Sequence, residues 1–383
     1  MYKFFIMGFL LSLPNLLQAQ KPETIFSFAR HPQSMQWYTQ QKEAWAKVVS
    51  NHPKDNKAWY NYYYVTRILN NHNVNDKRSR SEKDKELSEI VDRMSEQIPD
   101  SYDYNFCRWQ LQGNDMKYYS FLEKAISIDS NRTEHIDYMI NIGEIDNKPK
   151  QRDQYSARKF DVGELSPGFM YYNYNVLSGL EPDAILLTAG DNDTYPAWAL
   201  QGRGIRKDVK VLNVYLLQID RYRERVFREL GAEPVSRSTD SDEENFRKHI
   251  IESLTRNQKN HPIYIALTAS NCDEYLNTIQ DKLYLTGLAY RYDTSSFDNT
   301  AVLRRNFEKR YALDYLDKAF YVEPSEERMH EINTNYLVPM LKLHEHYQLS
   351  GNTDQDEWIK EKILMLCKNT EYEADIKKRL SEK

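Results

Sequence analysis

Three short apolar runs, separated by helical segments, place the strongest constraint on how the middle of this chain can fold. The runs are residues 184–188, 209–217 and 262–268, and each is of strand length and rich in branched aliphatic residues. Strands of this kind are typical of a parallel sheet that is covered by helices on both faces. The sequence therefore predicts an α/β fold, with a small parallel sheet within residues 151–310 and right-handed connections between its strands.

The regions on either side of this module have helical periodicity. In residues 21–150, apolar and aromatic residues recur at helical spacing, and Pro, Asp and Asn turns interrupt the pattern. The pattern resembles the tetratricopeptide class of helix–turn–helix repeats, most closely in residues 44–62, and its irregular period leaves an irregular helical domain as the alternative. Residues 311–383 return to helical spacing and predict a helical hairpin. Hairpins of this kind bury their apolar faces by stacking on neighbours.

The first twenty residues have the order of a secretory signal peptide. Lys3 is followed by the apolar run 4–11, and the segment ends in the small residue Ala19. The run is shorter than the roughly 20 residues that a membrane span needs, so we expect cleavage near Ala19 or Gln20, with an uncleaved anchor as the alternative. No second candidate span follows. The sequence thus predicts an exported protein, periplasmic or at the cell surface or secreted, with no membrane span in the mature chain.

Charge and cysteine content narrow the classes of partner. The formal net charge is -5 and is spread along the chain, which does not resemble a nucleic-acid-binding surface. The three cysteines are far apart and form neither a disulfide framework nor a zinc-site spacing. A protein partner in the cell envelope or a glycan remains as the expected partner.

Polar residues follow the predicted strands, where ligands bind in open parallel sheets. The candidate ligand-binding residues are Asp191, Asn192, Asp193, Thr194, Trp198 and Asp220. Thr268, Ser270 and Asn271 follow the third predicted strand.

Three interpretations of these residues remain open at this stage. In the first, Asp191 and Asp193, which are two positions apart, supply carboxylate oxygens as ligands of a divalent cation. Alternatively, the Asp and Asn side chains hold sugar hydroxyls while Trp198 supplies a stacking face. In the third interpretation these residues only cap the next helix and Gly190 supplies a positive φ. If Asp193 only caps, its replacement by Ala should cost about 1 kcal/mol.

No arrangement in the sequence identifies a catalytic residue. There is no glycine-rich phosphate loop, no G-x-S-x-G elbow, and no nucleophile beside an evident base. We therefore assign no catalytic residue and expect no cofactor, with a divalent cation as the alternative. A metal-dependent enzyme acting on glycans would use Asp191, Asp193 and Asp220.

The stretch from Gly190 to Pro196, Gly-Asp-Asn-Asp-Thr-Tyr-Pro, resembles a motif in the soluble C-terminal region of a membrane-protein family. That family consists of multi-pass envelope proteins of the Bacteroidota that are similar to protein O-mannosyltransferases. Residues 204–213, 262–266 and 285–291 are also similar, and the resemblance covers roughly residues 155–370. The membrane-embedded half, where glycosyl transfer is expected, has no counterpart here. The resemblance therefore implies the soluble module without transferase activity.

These observations together predict a non-enzymatic envelope protein that binds a protein or a glycan. The metal-dependent enzyme is the alternative. The predicted regions are a signal peptide at 1–20, repeat-like helices at 21–150, the α/β module at 151–310 and C-terminal helices at 311–383.

Overall fold

The computed structural model describes residues 21–113, 115–237, 243–257, 259–270, 275–318 and 325–381. The chain forms two compact units, and the first contains residues 21–28 and 32–130 of the described chain. The second contains residues 29–31 and the chain from Asn131 onward. The first unit thus ends at Ser130 rather than at the predicted boundary of 150, and the sheet and the C-terminal helices share one unit. The predicted signal peptide and Asn271 lie outside the described residues.

The first unit is built from helices that pack consecutively along the chain. They are α1 (Met35–Asn51), α2 (Asn56–His72), α3 (Arg80–Gln97), α4 (Tyr102–Leu111) and α5 (Tyr119–Ile128). Ser34, Asp55, Ser79 and Ser101 each cap the helix that follows, because their side chains accept a backbone N–H of its first turn. Large aromatic side chains such as Trp59 fill the core between the helices.

The second unit alternates helices and strands before it ends in helices. Its elements are α6 (Ile136–Ile145), α7 (Pro149–Asp161), α8 (Pro167–Gly179), β1 (Ile185–Thr188), α9 (Asp191–Gly202), β2 (Lys210–Asn213), α10 (Asp220–Leu230), α11 (Glu243–Arg256), β3 (Ile263–Ala266), α12 (Tyr275–Thr278), β4 (Leu283–Leu285), β5 (Ala289–Tyr292), α13 (Asn299–Arg305), α14 (Glu326–Asn333), α15 (Leu337–Ser350), α16 (Thr353–Cys367) and α17 (Glu373–Ser381). Within the ranges that the structure describes, no helix is both long and apolar enough to cross a membrane.

The sheet is mixed rather than fully parallel. Its strand order is β2-β1-β3-β5-β4, and β1 pairs in parallel with both β2 and β3. Strand β5 is antiparallel to β3 and to β4, so the prediction of a parallel sheet is confirmed for three strands and wrong for the last two. Strands β4 and β5 form a tight hairpin in which Gly287 has a φ of +138°, a conformation that favours glycine. Both strands are short, at three and four residues.

Strand β2 ends at Asn213, four residues before the predicted end at Leu217. The side-chain Oδ1 of Asn213 accepts the N–H of Tyr215 at 2.9 Å and of Leu216 at 3.3 Å, which turns the chain out of the sheet. The apolar residues that follow therefore form a 3-10 turn, Leu216–Gln218, instead of more strand. As a result, Asn213 and Tyr215 lie at the carboxyl end of β2, where the sequence predicted Asp220.

Candidate functional site: a polar pocket at the ends of strands β1 and β2

Helix α9 begins at Asp191, so residues 191–194 form its first turn. Gly190 has an ordinary extended backbone with a φ of -121°, and the predicted positive φ is wrong. The carboxylate of Asp193 accepts the N–H of Gly190 at 2.8 Å and of Ala189 at 3.0 Å. A side chain of the first turn thus reaches back to stabilise the start of its own helix, as in half of a capping box.

Asp193 is enclosed by further donors and is only 3% exposed. Its carboxylate also accepts the hydroxyls of Thr268 at 2.6 Å and Thr194 at 3.2 Å, so it joins the ends of β1 and β3 to the start of α9. Burial raises the pKa of Asp193, and these donors oppose that rise. Because the fold already uses this carboxylate, we do not assign it the predicted role of metal ligand.

The side chain of Thr194 belongs to the same buried network. Its hydroxyl lies 2.8 Å from that of Thr188 on β1 and accepts the side-chain N–H of Asn213 at 3.0 Å. These contacts hold β1, β2 and α9 together. Thr194 lines the edge of a pocket, but its hydroxyl is already hydrogen-bonded within the protein.

Asn192 anchors two backbone carbonyls. Its side-chain Nδ2 donates to the carbonyl of Ala29 at 3.2 Å, and its own carbonyl accepts Nδ2 of Asn173 at 2.8 Å. Pro196 explains the second contact, because proline has no N–H to bond the carbonyl four residues earlier in the helix. The predicted ligand role of Asn192 is therefore replaced by a structural one.

Trp198 and Asp220 do not occupy the predicted positions. Trp198 is fully buried, and its Nε1 donates to the carbonyl of Val211 on β2 at 3.4 Å, so its ring cannot stack on a sugar. It helps to cover the outer edge of β2, which is an edge strand. Asp220 is mostly exposed at the start of α10, pairs with Arg223 at 2.6 Å and is not among the pocket-lining residues.

A polar pocket of about 170 Å³ opens at the carboxyl ends of β1 and β2. It is lined by Asn141, Ala189, Gly190, Asp191, Thr194, Tyr195, Asn213, Tyr215 and Leu216. Asp191 is the charged residue among these described lining residues, and solvent reaches its side chain. Tyr215 is 46% exposed at the pocket, and the guanidinium of Arg247 lies 5.5 Å from the centroid of its ring.

The surroundings of Asp191 make its carboxyl group a weaker acid than an ordinary aspartate. The protein packed around the pocket, together with the nearby carboxylate of Asp137, raises the pKa of Asp191 to about 6, and Lys159 opposes the rise. Lys159 is itself buried and pairs with Asp137 at 2.5 Å. Asp191 is therefore mostly ionised at pH 7 and available as a hydrogen-bond acceptor.

The pKa of Asp191 predicts a pH-dependent effect of Asp191→Asn on stability. Its folded-state pKa is above the unfolded value, so the wild-type protein loses stability as the pH rises from about 4 through about 6. After allowance for solvent screening, we expect Asp191→Asn to be about 1 kcal/mol more stable than wild type at pH 7.5 and equal to it near pH 4. Urea unfolding at both pH values measures this difference. A pH-independent difference for Asp191→Asn would contradict the prediction.

The structure does not gather the predicted carboxylates into a metal site. Among the residues it describes, no group of three or more His, Cys, Asp or Glu side chains is placed to hold a metal ion. Asp191 faces the pocket, Asp193 faces the interior, and Asp220 lies outside the pocket.

Sequence reasoning missed several of the lining residues. Asn141 comes from α6, far from the motif in sequence, and its Nδ2 donates to the hydroxyl of Tyr195 at 3.0 Å. Asn213 and Tyr215 were missed because the predicted strand ran past them. Asn213 could have predicted the end of β2, because asparagine favours turns.

Comparison with known proteins places this site in a recognisable segment. Residues 170–249 match the family model described as TMEM260-associated domain 2, and TMEM260 is a protein O-mannosyltransferase-like protein. The matched segment contains β1, α9 and β2 and every lining residue of the pocket except Asn141. No curated protein and no solved structure matches the chain. The match fits a TMEM260-like family and neither supports nor excludes catalysis by this chain.

Proposed function

We propose that this protein is an exported, non-catalytic envelope protein that binds a sugar residue of a glycan in the pocket at the ends of β1 and β2. The observation that carries the proposal is the ionised Asp191 carboxylate in the same pocket as the exposed ring of Tyr215. A carboxylate accepts hydrogen bonds from sugar hydroxyls, and an aromatic ring offers an apolar face to the C–H groups of the sugar ring. A few polar groups of this kind in a concave site fix a ligand's orientation.

The size of the pocket supports a small ligand. Its volume of about 170 Å³ lies below the roughly 300–1,000 Å³ of sites that enclose drug-sized ligands. One terminal sugar suits this space, with the rest of the glycan outside. Similarity to a domain associated with an O-mannosyltransferase-like protein makes mannose the first sugar to test.

The export and architecture of the chain complete the proposal. The order of residues 1–20 supports export, and the motif at 190–196 supports an origin among Bacteroidota envelope proteins. Helix pairs such as α1 with α2 and α4 with α5 pack against each other, which supports a tetratricopeptide-like first unit. No observation favours the metal-dependent enzyme, since only Asp191 of its three carboxylates lines the pocket.

The test measures sugar binding to the whole mature chain. Isothermal titration calorimetry and saturation-transfer NMR with methyl α-mannoside and a panel of other monosaccharides report affinity and the protons in contact. Asp191→Asn is expected to lower affinity at least tenfold, since a hydrogen bond to a charged group contributes about 1.5–3 kcal/mol. Tyr215→Ala removes the aromatic face and is also expected to lower affinity at least tenfold.

Asp220→Asn is the matched control, because Asp220 is exposed and outside the pocket lining, and its affinity should equal that of wild type. Failure of every sugar to bind at millimolar concentration would refute the proposal. Equal affinity of the Asp191→Asn and wild-type proteins would also refute it.

A further inference from the structure

An extended segment of the chain lies on the helices of the first unit. Residues 21–28 have no regular secondary structure, and most of their side chains are exposed or only half-buried. Ile25 is the exception, at 5% exposure, and it packs into the core of the first unit. Ile25 therefore holds the segment on the helices, together with contacts to the main chain of the segment.

Side chains of α1 and α2 form hydrogen bonds with the main chain of this segment. The carbonyl of Lys21 accepts Nε2 of Gln41 at 3.3 Å, and the N–H of Glu23 donates to Oε1 of the same glutamine at 2.8 Å. The carbonyl of Glu23 accepts Nε1 of Trp45 at 2.9 Å. These groups lie on one edge of an extended chain, because alternate residues direct their main-chain groups to the same side.

Asn61 of α2 extends this row by one residue. Its Oδ1 accepts the N–H of Ile25 at 3.1 Å. The carbonyl of Lys21, both main-chain groups of Glu23 and the N–H of Ile25 thus have side-chain partners. Gln41 and Asn61 are buried, at 0% and 2% exposure, and Gln41 lies one helical turn from Trp45. Together the three side chains bond the main chain of the segment as a neighbouring β-strand would. Proteins that bind extended peptides through main-chain hydrogen bonds depend little on most of the peptide side chains.

A second anchor lies at the end of the segment. The ring of Phe28 stacks on that of His72, with centroids 4.0 Å apart and an angle of 9° between the planes. Two apolar side chains three residues apart, Ile25 and Phe28, thus add side-chain preference to a site that otherwise contacts the main chain and the side-chain carboxylate of Glu23.

We propose that Gln41, Trp45 and Asn61 form a peptide-binding groove that accepts an extended segment of a partner protein, and that residues 21–28 occupy it as an internal ligand. The partner segment presents a free main-chain edge, a branched aliphatic side chain in the position of Ile25 and an aromatic ring three residues later. Other positions tolerate most residues, since the corresponding side chains of this chain are exposed or half-buried. This inference does not rest on sugar binding, which concerns the second unit.

The first experiment tests exchange in the full mature chain. Ile25→Asp places a carboxylate in an apolar site and should release the internal segment. A fluorescein-labelled peptide that copies wild-type residues 21–28 is titrated against both chains, and fluorescence anisotropy reports binding. We expect the Ile25→Asp chain to bind the peptide at least tenfold more tightly than wild type. A folded Ile25→Asp chain that does not bind the peptide would overturn the proposal.

Two controls identify the groove. Adding Gln41→Ala to the Ile25→Asp chain should lower peptide affinity at least tenfold, while Glu43→Gln, at an exposed position of the same helix, should leave it unchanged. A peptide with Asp in the position of Ile25 should not bind. Equal affinity with and without Gln41 would overturn the assignment of the groove.

Hydrogen exchange of the wild-type protein gives a test that does not depend on any variant. If the segment leaves the groove while α1 and α2 stay folded, the amides of Glu23 and Ile25 should exchange at least tenfold faster than the most protected amides of those helices. Exchange at the same rate would make the segment a permanent part of the fold and would overturn the proposal.

Discussion

Asp193→Ala is expected to lower the free energy of unfolding of the second unit by about 4 kcal/mol, compared with about 1 kcal/mol for the loss of a simple helix cap. The substitution removes an acceptor of two backbone N–H groups and two threonine hydroxyls. The buried N–H of Ala189 then loses its acceptor, which costs about 1–3 kcal/mol, and the bonds that Gly190, Thr194 and Thr268 donate to a charged group are lost as well. Urea unfolding followed by circular dichroism and tryptophan fluorescence measures the change.

Asp191→Ala provides the matched control, because it removes a carboxylate from the same helical turn. Solvent reaches Asp191, and it holds no backbone N–H of the fold among its described hydrogen bonds, so this variant should be at least as stable as wild type at pH 7.5. Suppose instead that Asp193→Ala stays within 1 kcal/mol of wild type and loses sugar binding. That outcome would mean that Asp193 binds the ligand, and it would contradict the assignment of a structural role to Asp193 and a binding role to Asp191.

Local signals predicted much of the fold. Strand β1 was expected at 184–188 and lies at Ile185–Thr188, because a buried central strand is a continuous apolar run. Helix α10 occupies Asp220–Leu230 and ends at Gly231, whose φ of 66° is typical of a glycine that closes a helix. In such elements the residues that set the boundary are neighbours in sequence, so no tertiary information is needed.

The candidate site was less predictable, because its chemistry depends on contacts that are distant in sequence. Asp191 and Asp193 are the same residue type two positions apart, yet one faces a pocket and the other faces donors that follow β1 and β3. The donor Thr268 is 75 residues from Asp193 along the chain. The sequence could therefore propose capping and binding, but it could not assign one function to each carboxylate.

Trp198→Ala is expected to destabilise the second unit by about 4 kcal/mol, which is typical of truncating a fully buried aromatic side chain to Ala. The loss combines the cavity left beneath α9 with the missing hydrogen bond to the carbonyl of Val211 on β2. Trp198→Phe keeps most of the apolar volume and loses the N–H with the rest of the indole, so it should cost about 1–2 kcal/mol. Urea unfolding of both variants beside wild type measures the two changes.

Sugar affinity separates this structural role from the stacking role that the sequence suggested. Measured at a temperature where both variants are folded, Trp198→Phe should bind sugars as tightly as wild type, because the pocket ring is that of Tyr215. A Trp198→Ala protein of wild-type stability that no longer binds sugar would mean that the ring leaves the core to meet the ligand. Such a movement would expose the carbonyl of Val211 on an edge strand, and the fold as it stands uses the indole to prevent that exposure.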